Sequence, residues 1–122
     1  MLKIYTYSGC DTCRKALRFL QKEKISFQEI PIRDIPPSLP ELSAMLNACQ
    51  GNLRKLFNTS GRDYRAAGLG EKLPGLSPEE ALRLLAGNGN LVKRPFACGD
   101  GVHVVGFEET AWRQAFSAAR RT

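Results

Sequence analysis

Two cysteines separated by two residues, Cys10 and Cys13, are the side chains whose type and spacing most directly indicate chemistry. They lie where an alternating, strand-like segment over residues 2–7 meets an amphipathic pattern that starts near Cys13. The start of a helix presents free backbone N–H groups and a partial positive charge, which favour a thiolate on the first cysteine. The spacing also lets the second cysteine resolve a mixed disulfide formed on the first. The motif therefore predicts thiol redox chemistry.

The residues around the motif carry charges of both signs. Asp11 places a carboxylate beside Cys10, where it competes with a thiolate for the positive field of the helix start. Arg14, Lys15 or a more distant cation must therefore offset Asp11. Two unreactive buried cysteines remain the alternative interpretation of Cys10 and Cys13.

The other metal-ligating side chains favour structural roles. A structural zinc site needs four ligands, and Cys49, Cys98 and His103 supply neither a second C-x-x-C nor a pair of histidines. We therefore expect no metal site. Cys49 and Cys98 lie in apolar patterns and are predicted to be structural, and His103 is predicted to be partly exposed on an edge strand.

The elements that must position the motif can be predicted from hydrophobic spacing. A strand over residues 2–7 is followed by an amphipathic helix and by a second strand over residues 26–32. The middle of the chain is predicted to be helical, with one helix capped by Ser38 and another opened by the capping box of Ser77 and Glu80. A hairpin around Gly99-Asp100-Gly101 and a C-terminal helix follow. This order predicts an α/β class with a four-stranded mixed sheet, flanking helices and an all-helical insertion.

Composition and charge limit the function. The 122 residues fit one domain, and a net charge of +6 permits an anionic substrate. No dense basic block with interleaved aromatics is present, so we expect no direct nucleic-acid binding. No secretory leader or membrane-spanning run is visible, which predicts a cytoplasmic protein with no membrane association. We expect a monomer.

Four segments together resemble the ArsC/Spx/YffB family of thioredoxin-fold proteins. They are residues 4–16 around the two cysteines, Asn58-Thr59-Ser60-Gly61, Lys93-Arg94-Pro95 and Val105-Gly106-Phe107. The resemblance implies a single thioredoxin-like (glutaredoxin-like) domain over residues 1–122. Its core would comprise residues 1–36 and 90–122, approximately, with the helical insertion over about 37–89.

The resemblance also implies roles for individual residues. Cys10 would be the redox nucleophile, Cys13 the resolving thiol, and Arg94 the arginine that precedes a cis-proline, Pro95, close to the nucleophile. Arg94 and Pro95 would also bind substrate together with Asn58. Physical chemistry agrees for Arg94, because a guanidinium stabilises a thiolate and binds anions.

Three functions are implied by different members of the family. Arsenate reductases use two further arginines, which correspond here to Asn58 and about Gly106, so arsenate reduction is the least favoured. YffB-type proteins imply a glutathione-dependent thiol reductase that acts on glutathione or protein disulfides and binds no cofactor. The C-x-x-C motif is typical of Spx, which implies a redox-sensing transcriptional regulator that binds the RNA polymerase α-subunit. Gly51 falls near a glycine used in that contact, although a C-cap explains it as well.

Overall fold

The computed structural model describes residues 1–120, except for the side chain of Arg120. Its internal contacts separate two units: the first joins Met1–Pro31 to the described residues from Arg94 onward, and the second is Ile32–Lys93. The prediction of one domain with an insertion over about 37–89 stays a prediction. In chain order the strands and α-helices are β1 (Leu2–Thr6), α1 (Asp11–Lys22), β2 (Phe27–Pro31), α2 (Leu39–Ala48), α3 (Arg62–Ala66), α4 (Leu69–Lys72), α5 (Pro78–Gly87), β3 (Phe96–Gly99), β4 (Val102–Val105) and α6 (Glu109–Arg120).

The first unit holds a four-stranded sheet in the order β2-β1-β3-β4. Strand β1 pairs in parallel with β2 and antiparallel with β3, and β3 pairs antiparallel with β4. The parallel pair needs a crossover, and α1 supplies it. The predicted mixed sheet is therefore confirmed, and the central strand β1 leads directly to the cysteine motif.

An aromatic core fixes the two helices of the first unit. The Trp112 ring of α6 meets the Phe19 ring of α1 edge-on at 6.0 Å between centroids and lies 5.8 Å from Phe116. The buried indole N–H of Trp112 donates to the Gly106 carbonyl at 2.8 Å. The buried members of this core are Leu2, Ile4, Ala16, Phe19, Leu20, Ala97, Val102, Trp112 and Phe116. Helix α1 is thereby held in position by its apolar face.

The second unit contains helices α2 to α5 and short 3₁₀ turns at Leu53–Leu56, Leu73–Gly75 and Gly89–Leu91. An isolated bridge joins Phe57 to Val92. The last turn approaches the backbone so closely that a Cβ on Gly89 would lie 1.8 Å from the Ile32 carbonyl oxygen. Only glycine fits there.

The structure differs from the sequence expectation in two places. Helix α1 begins at Asp11, two residues before the apolar pattern starts, because the Cys10 side chain caps it. Helices α3 and α4, of five and four residues, were not predicted, since such short segments carry no measurable helical period. Within residues 1–120, no helix is long and apolar enough to cross a membrane.

Candidate active site

Cys10 is the N-cap residue of α1. Its backbone is extended (φ −107°, ψ 112°), and its Sγ accepts a hydrogen bond from the backbone N–H of Cys13 at 3.2 Å. The preceding loop is closed by the Cys10 N–H, which donates to the Tyr7 carbonyl at 3.1 Å. The Cys10 side chain is half-buried and is not in a disulfide. A sulfur in this position receives a helix-start N–H and remains open to an incoming reagent.

Cys13 lies behind Cys10 and is 1% exposed. Burial and a hydrogen bond to the Cys10 side chain raise the pKa of the Cys13 thiol to about 12, while a hydrogen bond from the Tyr7 backbone and the charge of Arg94 act in the opposite direction. A hydrogen bond that raises this pKa is one in which the Cys13 thiol donates to the Cys10 sulfur. The site therefore pairs an accessible sulfur with a buried, protonated thiol.

Arg94 and Pro95 belong to the same unit as the two cysteines. The Arg94–Pro95 peptide bond is cis, Pro95 is buried, and its carbonyl accepts a hydrogen bond from the Gly106 N–H at 2.8 Å. The guanidinium carbon of the half-buried Arg94 lies 4.9 Å from the centroid of the Tyr7 ring. This cation–π contact holds the cation beside the loop that leads to Cys10.

Arg14 supplies the cation that offsets Asp11. Its guanidinium forms an ion pair with the Asp11 carboxylate and also donates to the Ser8 carbonyl at 3.4 Å. The hydrogen bond from Arg14 and then its charge lower the pKa of Asp11, with smaller contributions from Lys15 and Arg18. The structure thus selects Arg14 from the alternatives that the sequence left open.

Asn58 lies in the second unit, where its backbone N–H donates to the Leu91 carbonyl at 2.7 Å. Its side-chain nitrogen would lie 2.7 Å from a Cβ on Gly61, so the amide packs over that glycine. Its substrate-binding role stays a prediction. Gly106, the other position at which arsenate reductases carry an arginine, is buried with φ +69° and accepts the Trp112 indole N–H. A left-handed backbone of this kind favours glycine.

The remaining cysteines and the histidine are separate from the motif. Cys49 is the half-buried C-cap of α2, and burial raises the pKa of its thiol. Cys98 is 5% exposed in β3, and His103 is exposed on the edge strand β4. Among residues 1–120, no group of three or more His, Cys, Asp or Glu side chains is placed to hold a metal ion.

Tyr7 is the residue of the site that sequence reasoning missed. It provides the ring under Arg94, the carbonyl for the Cys10 N–H and a backbone hydrogen bond to Cys13. The available signal was its position, an aromatic residue at the end of a strand three residues before the first cysteine.

Comparison with family models gives a match over most of the chain. The ArsC family model matches residues 5–115. The YusI protein of Bacillus subtilis is 42% identical over 93% of this chain and 96% of its own length. The global transcriptional regulator Spx of Enterococcus faecalis is 31% identical over 93% of this chain and 85% of its own length.

Comparison with solved structures finds similar proteins described in the same terms. An ArsC family related protein from Bacteroides fragilis is 36% identical with a TM-score of 0.87, and the match covers 93% of this chain and 96% of that one. A possible arsenate reductase from Streptococcus mutans is 40% identical with a TM-score of 0.82, over 88% and 92% of the two chains. A YffB protein at 24% identity and a TM-score of 0.77 shares the fold. The predicted thioredoxin-like fold class is therefore confirmed.

Proposed function

The chain belongs to the ArsC family, and from that membership and the dithiol at the start of α1 we propose that it is a glutathione-dependent thiol-disulfide oxidoreductase. The observation that carries the proposal is the pairing of a half-buried Cys10 sulfur with a Cys13 thiol that is 1% exposed. Such a pair separates the two roles of dithiol exchange, because one sulfur meets substrate and the other acts only within the protein.

The first step is attack by the Cys10 thiolate on one sulfur of a substrate disulfide. A bond forms between Cys10 Sγ and that sulfur, the substrate S–S bond breaks, and the other substrate sulfur leaves as a thiolate that takes a proton from solvent. The Cys13 N–H, which donates to Cys10 Sγ, is assigned the role of stabilising the negative charge on the attacking sulfur. The same role is proposed for Arg94, whose guanidinium lies over the Tyr7 ring.

The second step releases the reduced substrate. The Cys13 thiol loses its proton to solvent, attacks Cys10 Sγ and displaces the bound substrate as a thiol, leaving a Cys10–Cys13 disulfide. Two molecules of glutathione then restore the dithiol. The first forms a mixed disulfide with the protein and the second removes it as oxidised glutathione, so two electrons pass from glutathione to substrate.

A coupled assay tests this activity. Reduction of 2-hydroxyethyl disulfide with glutathione, glutathione reductase and NADPH should proceed with the wild-type protein, and Cys10→Ser should abolish it. Cys49→Ser is the matched control, since it removes a half-buried cysteine that lies outside the motif. Undiminished turnover by Cys10→Ser would contradict the mechanism.

Arsenate reduction is not the activity proposed. The two positions that carry further arginines in arsenate reductases are Asn58 and Gly106 here, so most of the positive charge for an oxyanion is missing. Purified protein with arsenate, glutathione and NADPH coupling should show no turnover above the rate without protein. Robust arsenate turnover would overturn this exclusion.

A second experiment identifies the form of chemistry. The protein is equilibrated with a graded series of reduced and oxidised glutathione, quenched with acid and mapped by peptide mass spectrometry. An intramolecular disulfide between Cys10 and Cys13 supports the dithiol mechanism, and its midpoint gives the potential at which it operates. Glutathione attached to Cys10 with Cys13 free at every ratio would replace that mechanism with a monothiol one.

A transcriptional regulator is the second candidate, favoured by 31% identity to an Spx regulator over 93% of this chain. In this alternative the dithiol is a sensor, and its oxidation changes affinity for the RNA polymerase α-subunit without turnover. Pull-down with the C-terminal domain of that subunit, using oxidised and reduced protein, distinguishes the candidates. Binding that depends on the redox state supports the regulator, and no binding in either state removes it.

A further inference from the structure

We propose that Arg14 is an anion-binding, specificity-determining side chain of the Cys10 site and that Asp11 competes with substrate carboxylates for it. The inference rests on the proposed thiol-disulfide exchange at Cys10 and names its substrate class, disulfides that carry a carboxylate near the sulfurs. The juxtaposition of Cys10, Asp11 and Arg14 on the first turn of α1 carries the inference.

Helical spacing places the three residues together. The Arg14 N–H donates to the Cys10 carbonyl at 3.2 Å, which makes this the first hydrogen bond of the helix. The charge of Cys10 acts on the Arg14 guanidinium and raises its pKa, after the larger effects of Asp11, so the guanidinium lies within electrostatic range of the sulfur. From there its guanidinium reaches the Asp11 carboxylate and the Ser8 carbonyl.

The Asp11–Arg14 pair is exposed and can therefore exchange partners. The Arg14 and Asp11 side chains are 57% and 85% exposed, and surface ion pairs of this kind are weak because solvent screens both charges. A substrate carboxylate can replace Asp11 at the guanidinium without leaving a buried charge unpaired. Arg14 is thus a cation that is masked in the free protein and available to an anion.

Arg94 and Arg14 are held in different ways. Arg94 lies against the Tyr7 ring, which leaves its positive charge uncancelled by that contact, whereas Arg14 is neutralised by Asp11. Asp11 is also the sole acidic residue in the sequence between positions 7 and 18. Removing that one carboxylate should therefore make the Arg14 guanidinium available to an anion in addition to that of Arg94.

Alkylation of Cys10 measures the effect of these charges at the sulfur without requiring catalysis. Iodoacetate is an anion and iodoacetamide is its neutral analogue; each forms an S–C bond to Cys10 and releases iodide, with the thiol proton lost to buffer. The rate constant for iodoacetate divided by that for iodoacetamide reports the local charge at the sulfur, and the ratio rises as that charge becomes more positive. Asp11→Asn should raise the ratio about threefold and Arg14→Gln should lower it by a similar factor. Lys15→Gln is the control, because it removes the same charge from the neighbouring exposed position.

The double variant distinguishes masking from simple repulsion. If Asp11 acts by occupying Arg14, Asp11→Asn should raise the ratio by clearly less when Arg14→Gln is already present, because only the direct repulsion by the carboxylate then remains to be removed. An equal increase in both backgrounds, an unchanged ratio in Asp11→Asn, or a decrease in Lys15→Gln as large as that in Arg14→Gln would overturn the proposal. Alkylation needs no turnover, so the two proposals can fail separately. If the variants alter the alkylation ratio as expected but the reductase assay shows no activity, the result counts against the proposed function alone.

Discussion

Helices α1 and α5 begin with the same spacing of capping residues but with different chemistry. In α5 the N-cap Ser77 accepts from the Glu80 N–H, and the Glu80 carboxylate accepts from the Ser77 N–H in return. In α1 the equivalent N-cap and N3 positions are Cys10 and Cys13, and the N-cap sulfur accepts from the Cys13 N–H. The C-x-x-C motif therefore occupies the two positions of a capping box.

Helix α2 repeats the α5 arrangement with Ser38 and Glu41, so both of these helices begin with the stabilising pair. A neutral thiol is a weak hydrogen-bond acceptor, whereas a thiolate accepts strongly. A thiol at position 10 therefore stabilises the start of α1 less than the serine caps stabilise the starts of α2 and α5. Under the proposed function, α1 directs a helix-start N–H to the sulfur that reacts, whereas α2 and α5 use theirs for stability.

Replacing Cys13, the N3 residue of α1, should give the largest effect, a change in the product that forms at Cys10. With Cys13→Ser, oxidised glutathione should convert Cys10 into a stable mixed disulfide, about one glutathione per chain, because nothing displaces it. The wild-type protein should instead finish with a Cys10–Cys13 disulfide and little bound glutathione. Intact mass spectrometry after acid quenching measures both, and Cys49→Ser should behave as wild type. Equal adduct levels in Cys13→Ser and wild type would remove Cys13 as the resolving thiol.

The two cysteines of α1 should also differ in reactivity as free thiols. At pH 8 the Cys13 thiol, with a pKa raised to about 12 and 1% exposure, is almost entirely protonated and inaccessible. Iodoacetamide should therefore modify Cys10 at least about 100-fold faster than Cys13. Peptide mapping over time gives both rates. The difference between the two labelling rates should disappear in guanidinium chloride. Equal labelling rates of Cys10 and Cys13 in the folded protein would contradict the assigned roles.

The same two helix starts show what a single sequence can and cannot predict. The beginning of α5 was predictable, because Ser77 and Glu80 form a local signal. The apolar period predicts the beginning of α1 two residues too late, since it starts at Cys13 and a cysteine is not an expected cap. The two thiols were found by spacing. The contact of Arg94 with Tyr7 could not be predicted, because these residues are far apart in the sequence and become adjacent only after the sheet forms.

The serine caps should affect stability without affecting the thiols. Ser77→Ala and Ser38→Ala should each lower the free energy of unfolding by about 1 kcal/mol, because each leaves helix-start N–H groups without a side-chain acceptor. Urea unfolding measures the loss, and Ser43→Ala, at an exposed position inside α2, should change it by less than about 0.5 kcal/mol. Cys10 alkylation should stay within about twofold of wild type. A cap variant that slowed alkylation tenfold would show that the helix starts are not independent.

The smallest effect should come from giving α1 the cap that α2 and α5 have. Cys10→Ser should raise the free energy of unfolding by about 0.5 kcal/mol, because a hydroxyl oxygen accepts the Cys13 N–H better than a thiol sulfur does. Cys10→Ala should lower the free energy of unfolding, since that side chain accepts no hydrogen bond.

The three residues at position 10 form an ordered series. Serine should give the highest free energy of unfolding, the wild-type cysteine an intermediate value and alanine the lowest, because the acceptor strength of the side chain falls in that order. Urea unfolding of the three proteins at one pH, under reducing conditions, measures the series. Equal stability of Cys10→Ala and wild type would mean that the sulfur contributes nothing as a cap of α1. The expected order would show that α1 keeps a sulfur at its N-cap at a cost in stability, as a position retained for its reactivity requires.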